Sequence, residues 1–76
     1  MDRKDILALV NLRALVVSGE AREIRRAAGL SLEEAGAAVG TTAATIHRYE
    51  NQERVPHGPV AVRYAHFLEA LQKAPR

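Results

Sequence analysis

The stretch Ser31-Leu32-Glu33-Glu34-Ala35-Gly36-Ala37-Ala38-Val39-Gly40-Thr41-Thr42 limits this chain most, because it holds a helix start, a helix stop and a second helix start in close succession. Ser31 followed three residues later by Glu34 fits a capping box, in which the hydroxyl accepts from the Glu34 amide and the carboxylate reaches back. Gly40 is the stop, since glycine takes up the left-handed backbone of a helix end at little cost. Thr42 is a good N-cap for the helix behind it. Only a short helix fits before Gly40, and only a tight turn follows it.

The rest of the chain also reads as helix, with no strand. Asp2 or Asp5 can cap a first helix running to about Val17, and Ser18-Gly19 punctuates its end. Ile6, Leu7, Leu9, Val10, Leu12, Leu15, Val16 and Val17 cover most of that helix's circumference, leaving a narrow polar strip at Lys4, Asn11 and Ser18. Such a helix belongs between others or against a second chain. A second helix runs from about Glu20 to Ala28, with Ser18 as N-cap, Gly29 as C′ residue and Ile24, Ala27 and Ala28 as its apolar face. The fourth reaches Asn51. Gln52–Gly58, with Pro56 and Gly58, is a loop, and Pro59 opens a last helix that ends near Lys73. There Val60, Tyr64, Phe67, Leu68 and Leu71 make one inward stripe, and Pro75 closes the chain. The expected architecture is all-α: a compact bundle of about five helices in a single domain, 1–76, with an N-terminal helical extension over 1–19, two motif helices over 31–51 and a C-terminal helix over 59–73.

Composition narrows the function. At 76 residues the chain has room for one small domain. It lacks cysteine, which excludes a disulfide framework and a thiolate metal site. His47, His57 and His66 match no familiar ligand spacing, so no metal is expected. Glu33-Glu34 is a capping pair before it is a catalytic dyad, and no partnered nucleophile is apparent; no catalytic residue, cofactor or enzymatic activity is expected. No apolar run suffices to span a bilayer and no secretory pattern opens the chain, so a cytoplasmic location is expected. Net charge is +2, distributed as +2 over residues 1–29, −2 over 30–54 and +2 over 55–76. A weakly basic chain is compatible with nucleic acid without pointing there by itself.

The two short helices joined at Gly40 make a helix-turn-helix, whose second helix can enter a DNA major groove. Ala35, Gly36 and Ala37 let the second helix cross closely, with Val39 and Ile46 pointing inward. Ala43, Ala44, His47 and Arg48 are left on the outer face. From Ile24-Arg25-Arg26-Ala27-Ala28-Gly29-Leu30-Ser31 through Glu50-Asn51-Gln52-Glu53-Arg54-Val55-Pro56, the chain resembles the Cro-and-repressor-type (lambda-repressor-like) helix-turn-helix family of phages and bacteria. The features carrying the likeness are Arg25 ahead of Gly29-Leu30-Ser31, the Gly40-Thr41-Thr42 turn, Ile46, and Glu50-Asn51 followed by Arg54 and Pro56. It departs from the family pattern at Leu32, where glutamine is frequent, at Ala35-Gly36, where Leu-Ala is usual, and at Gln52, where glycine commonly ends the helix.

The resemblance implies roles. Ala43, Ala44, His47 and Arg48 take base-facing positions, with Arg48 able to donate twice to guanine and the alanine methyls able to touch a thymine methyl. Thr42, Thr45, Asn51 and Arg54 take phosphate-facing positions, which set register. Arg25 and Glu50 take the place of an internal ion pair. The implied activity is that of a sequence-specific double-stranded DNA-binding transcription regulator, a phage or bacterial repressor. A homodimer through residues 6–17 or the C-terminal helix is one arrangement, a monomer another. The acidic motif segment favours an alternative, a protein-interaction module such as an antitoxin-like or antirepressor partner. A DNA-architectural accessory protein is a further alternative.

Overall fold

The punctuation read from the sequence divides the chain into five helices: α1 (Arg3–Ser18), α2 (Glu20–Ala27), α3 (Leu32–Val39), α4 (Ala43–Glu50) and α5 (Gly58–Lys73). The structure, a computed structural model, describes residues 1–74; Pro75 lies outside the described residues. No strand occurs among the described residues, and no helix there is long and apolar enough to cross a membrane. The chain folds as the all-α bundle expected.

The caps explain the boundaries. Asp2 accepts the Asp5 amide at 2.9 Å to start α1, and Gly19, at φ 84°, ends it. Ser18 is not the N-cap of α2 but the last residue of α1; that cap position belongs to Gly19, because only a left-handed residue reverses the chain so sharply. Its hydroxyl still accepts the Glu20 amide, at 3.3 Å. At α3 both halves of the capping box form: Ser31 Oγ accepts the Glu34 amide at 3.0 Å, and the Glu34 carboxylate accepts the Ser31 amide at 2.9 Å. That second bond, reinforced by the hydroxyl, holds the Glu34 carboxyl below its ordinary range. Asn51 is the C-cap of α4 rather than its last residue, and α5 begins at Gly58, placing Pro59 in the first turn.

α1 packs against α5 and α2, α2 also against α5, and α3 against α4 and α5. One core joins Ala8, Leu12, Leu15 and Val16 of α1 to Ala21, Ala35, Val39, Ile46, Tyr49, Ala61, Tyr64, Ala65 and Leu68. The α1 sequence does not select this side, since nearly all its sides are apolar. Packing buries one and leaves Ile6, Leu7, Val10 and Val17 at least half exposed. In α2 the inward residues are Ala21 and half-buried Ile24, whereas Ala27 and Ala28 are exposed, contrary to the sequence expectation. The helix turns this way because half-buried Arg25 must face Glu50. Ala37 likewise faces solvent, while Ala35, Gly36 and Val39 face inward. In α5 the expected stripe is joined by buried Ala61 and Ala65, and Val60, Phe67 and Leu71 are only partly buried. Tyr64 stacks on Tyr49 with centroids 5.4 Å apart. Its hydroxyl is buried without a hydrogen-bond partner, and burial pushes its pKa well up.

Candidate nucleic-acid interface

The α3–α4 crossing depends on one missing methyl. A Cβ added at Gly36 would lie 2.8 Å from the Thr42 carbonyl carbon and 3.0 Å from the Ala43 nitrogen. Both are backbone atoms at the start of α4, so α4 can sit this close only over glycine. The turn between them is anchored at each residue. Gly40, at φ 83°, and Thr41 both donate to the Gly36 carbonyl, at 2.9 and 2.8 Å. Arg63 of α5 donates through Nε to the Val39 carbonyl at 2.7 Å, meeting the orphan acceptors of the α3 end. Arg63 thus serves as a side-chain cap of the α3 end.

Thr42 then starts α4, its hydroxyl accepting the Thr45 amide at 3.2 Å and lying 3.0 Å from the Thr45 hydroxyl. The Ile46 amide bonds to the Thr42 carbonyl, so the amides of Ala43 and Ala44 precede the first backbone bond of the helix. Beyond the cap the helix divides cleanly. Ile46, Tyr49 and Glu50 are buried, whereas Ala44, His47 and Arg48 are exposed and Ala43 and Thr45 are half-buried. Arg54 stands exposed in the loop that follows. The amino-terminal helix packs on α5 and α2 and leaves the outer side of α4 open to solvent.

The far end of α4 is tied down by charge. Arg25 donates to Glu50 twice, from Nε to Oε2 at 2.6 Å and from Nη2 to Oε1 at 3.0 Å, and from Nη1 to the Leu30 carbonyl at 2.7 Å. The Glu50 side chain is 1% exposed and that of Arg25 12%. Hydrogen bonding to Glu50 raises the Arg25 pKa further, against the opposing effect of burial. Arg22 is also drawn in: its Nε lies 3.5 Å from Glu50 Oε1, and its Nη2 donates to Asn51 Oδ1 at 2.7 Å. The available signal was its spacing, since Arg22 and Arg25 lie three apart on one helical face.

Asn51, exposed at the end of α4, is held by several contacts within the chain. Besides receiving Arg22, its Nδ2 donates to the His47 carbonyl at 2.9 Å and lies 3.0 Å from His47 Nε2. Its amide is engaged inside the chain. Gln52 replaces the helix-ending glycine and nonetheless adopts the left-handed conformation, at φ 58°. The Gln52 amide bonds to the Tyr49 carbonyl at 3.2 Å and the Glu53 amide to the Arg48 carbonyl at 2.9 Å, the bond pattern of a Schellman motif. The helix ends as a glycine would end it, at some backbone strain.

A family model described as a helix-turn-helix domain matches residues 17–76. The chain belongs to that family. No curated protein and no solved structure matches it. The matched stretch of this DNA-binding helix-turn-helix domain takes in α2 to α5 and begins at the last turn of α1, so most of α1 lies outside it.

Proposed function

We propose that this helix-turn-helix domain is a transcription regulator of the Cro-and-repressor type, of phage or bacterial origin, which binds a specific double-stranded site and represses by occupying a promoter. The observation that carries the reading is the division of α4, gripped on its inner side by the Gly36 crossing and the Glu50 ion pair, with Ala44, His47 and Arg48 exposed on the other. A short helix held rigidly by one side offers the other to a groove about 12 Å wide. There Arg48 donates to guanine O6 and N7, Ala43 and Ala44 touch a thymine methyl, and His47 makes a polar contact. Thr42, Thr45, Arg54 and the amino end of α4 address phosphates and set the register. No catalysis, metal or cofactor takes part, and the protein acts in the cytoplasm on the nucleoid.

The exposed Ile6, Leu7, Val10 and Val17 supply a surface for a second copy, which would place two recognition helices on half-sites about one helical turn apart. The outer side of α5, carrying Arg63, His66 and Lys73, suits this less well. The same α1 face is what favours the second reading, a protein-interaction module of antitoxin-like or antirepressor type. A mobility-shift assay on random duplex at two salt concentrations decides between them. A DNA regulator loses affinity steeply as salt rises, whereas a protein-binding module does not bind duplex at either concentration. Retention on all duplexes alike with no preferred site would instead mark an architectural protein. On a selected site, Arg48→Ala relaxes sequence preference, and Arg54→Ala weakens binding to every sequence and lowers the salt slope by about 1.

A further inference from the structure

We propose that Arg22 and Asn51 are positioning residues that hold His47 in one neutral form, protonated at Nδ1, and so make it a reader of acceptor atoms on base edges. The proposal rests on the reading of α4 as the recognition helix. The argument is one of donors and acceptors. A guanidinium only donates, so the Asn51 atom 2.7 Å from Arg22 Nη2 must be its carbonyl oxygen. At the other end of the amide, the His47 backbone carbonyl 2.9 Å away only accepts, so the atom facing it must be the Asn51 NH2. Two independent contacts thus fix the same orientation. That NH2 group also lies 3.0 Å from His47 Nε2 and has no acceptor capacity, so Nε2 accepts from it. An accepting Nε2 carries no proton, and the single proton of the neutral ring sits on Nδ1.

The relay is anchored in the core. Arg22 lies against Glu50, whose side chain is 1% exposed and which Arg25 holds from the other side. Charge buried beneath α4 therefore specifies the chemistry of a side chain on its exposed face. His47 in this form offers one N–H donor and no free ring acceptor. It matches guanine O6 and N7, adenine N7 or thymine O4, and rejects the amino groups of cytosine and adenine.

Long-range proton–nitrogen NMR of the imidazoles in the free, full chain tests the relay without DNA. In the wild type, His47 shows an unprotonated Nε2 and a protonated Nδ1. Arg22→Ala and Asn51→Ala release the ring to the Nε2–H form that isolated imidazoles favour, Arg22→Lys restores the native form, and Asn51→Asp, whose carboxylate only accepts, draws a proton onto Nε2. A wild-type His47 protonated at Nε2, or one unchanged in these variants, overturns the proposal whatever the protein binds. Selection from a random duplex library tests the consequence. Asn51→Ala and Arg22→Ala lose several-fold preference at the same base-pair position that His47→Ala affects, and elsewhere retain the site. Unchanged preference in Asn51→Ala where His47→Ala alters it refutes the specificity role. If His47→Ala itself changes nothing while the protein still selects a site, His47 is not a reader, and that failure belongs to the reading of α4 rather than to the relay.

Discussion

Replacing Glu50 by alanine removes the acceptor of both Arg25 bonds, at 2.6 and 3.0 Å, and leaves a guanidinium 12% exposed with only the Leu30 carbonyl. Breaking a buried pair from one side costs about 3–5 kcal/mol, because the surviving charge stays desolvated. The remaining carbonyl bond and the partial exposure of Arg25 put this case near the low end, at about 3 kcal/mol. A domain this size has roughly 4–11 kcal/mol in all, so the loss removes a quarter or more of it. At about 4–8 °C per kcal/mol, the melting midpoint falls by roughly 12–24 °C. The diagnostic step is a double-mutant cycle followed by thermal melting. Arg25→Met with Glu50→Leu replaces the pair by packed apolar groups and recovers most of the loss, because neither charge is then stranded. Glu50→Ala melting within roughly 2 °C of wild type, or a double variant as unstable as the two singles summed, would refute the reasoning.

Gly36→Ala drives a methyl into the backbone at the start of α4; overpacking of about 1–3 kcal/mol outweighs the gain of about 1 kcal/mol in helix propensity. Denaturant unfolding reads the net loss, and DNA affinity falls with it because α4 is displaced. Gln52→Gly relieves a left-handed residue costing about 1–2 kcal/mol, less about 0.4–1 kcal/mol for greater freedom of the unfolded chain, so chemical denaturation shows a small stabilisation. Glu34 titrates lower in the folded chain than in the unfolded one, so its contribution is present above its unfolded pKa of about 4.3 and is lost as pH falls through the depressed folded value. Wild type accordingly melts above Glu34→Ala at neutral pH, and the gap closes on acidification; a gap that persists at low pH contradicts this.

What the sequence made legible was local. The Ser31–Glu34 box, the Gly40 stop and the Thr42 cap each act within four residues, so their chemistry is complete in the linear text. The split of α4 into Ile46 inside and His47 and Arg48 outside followed from the same caps plus helical period. The Arg25–Glu50 pair spans 25 residues and came through family resemblance rather than spacing. Where partners are distant and no resemblance speaks, the sequence is silent. Nothing near Asn51 reveals its hydrogen bond with Arg22, 29 residues earlier. In α1 the apolar circumference allows many rotations, and only packing against α5 and α2 selects Leu12 over Leu7. Ala61 and Ala65 were overlooked because a small side chain on a core face gives little periodic signal.

The most direct measurement is a nitrogen-15 amide NMR titration of the full chain with a duplex recovered by selection. The account predicts the largest shifts from Thr42 to Arg48 and around Arg54, with the amides of Leu7, Val10 and Val17 unmoved by duplex. Shifts confined to α1, with Ala44, His47 and Arg48 silent at saturation, would contradict it.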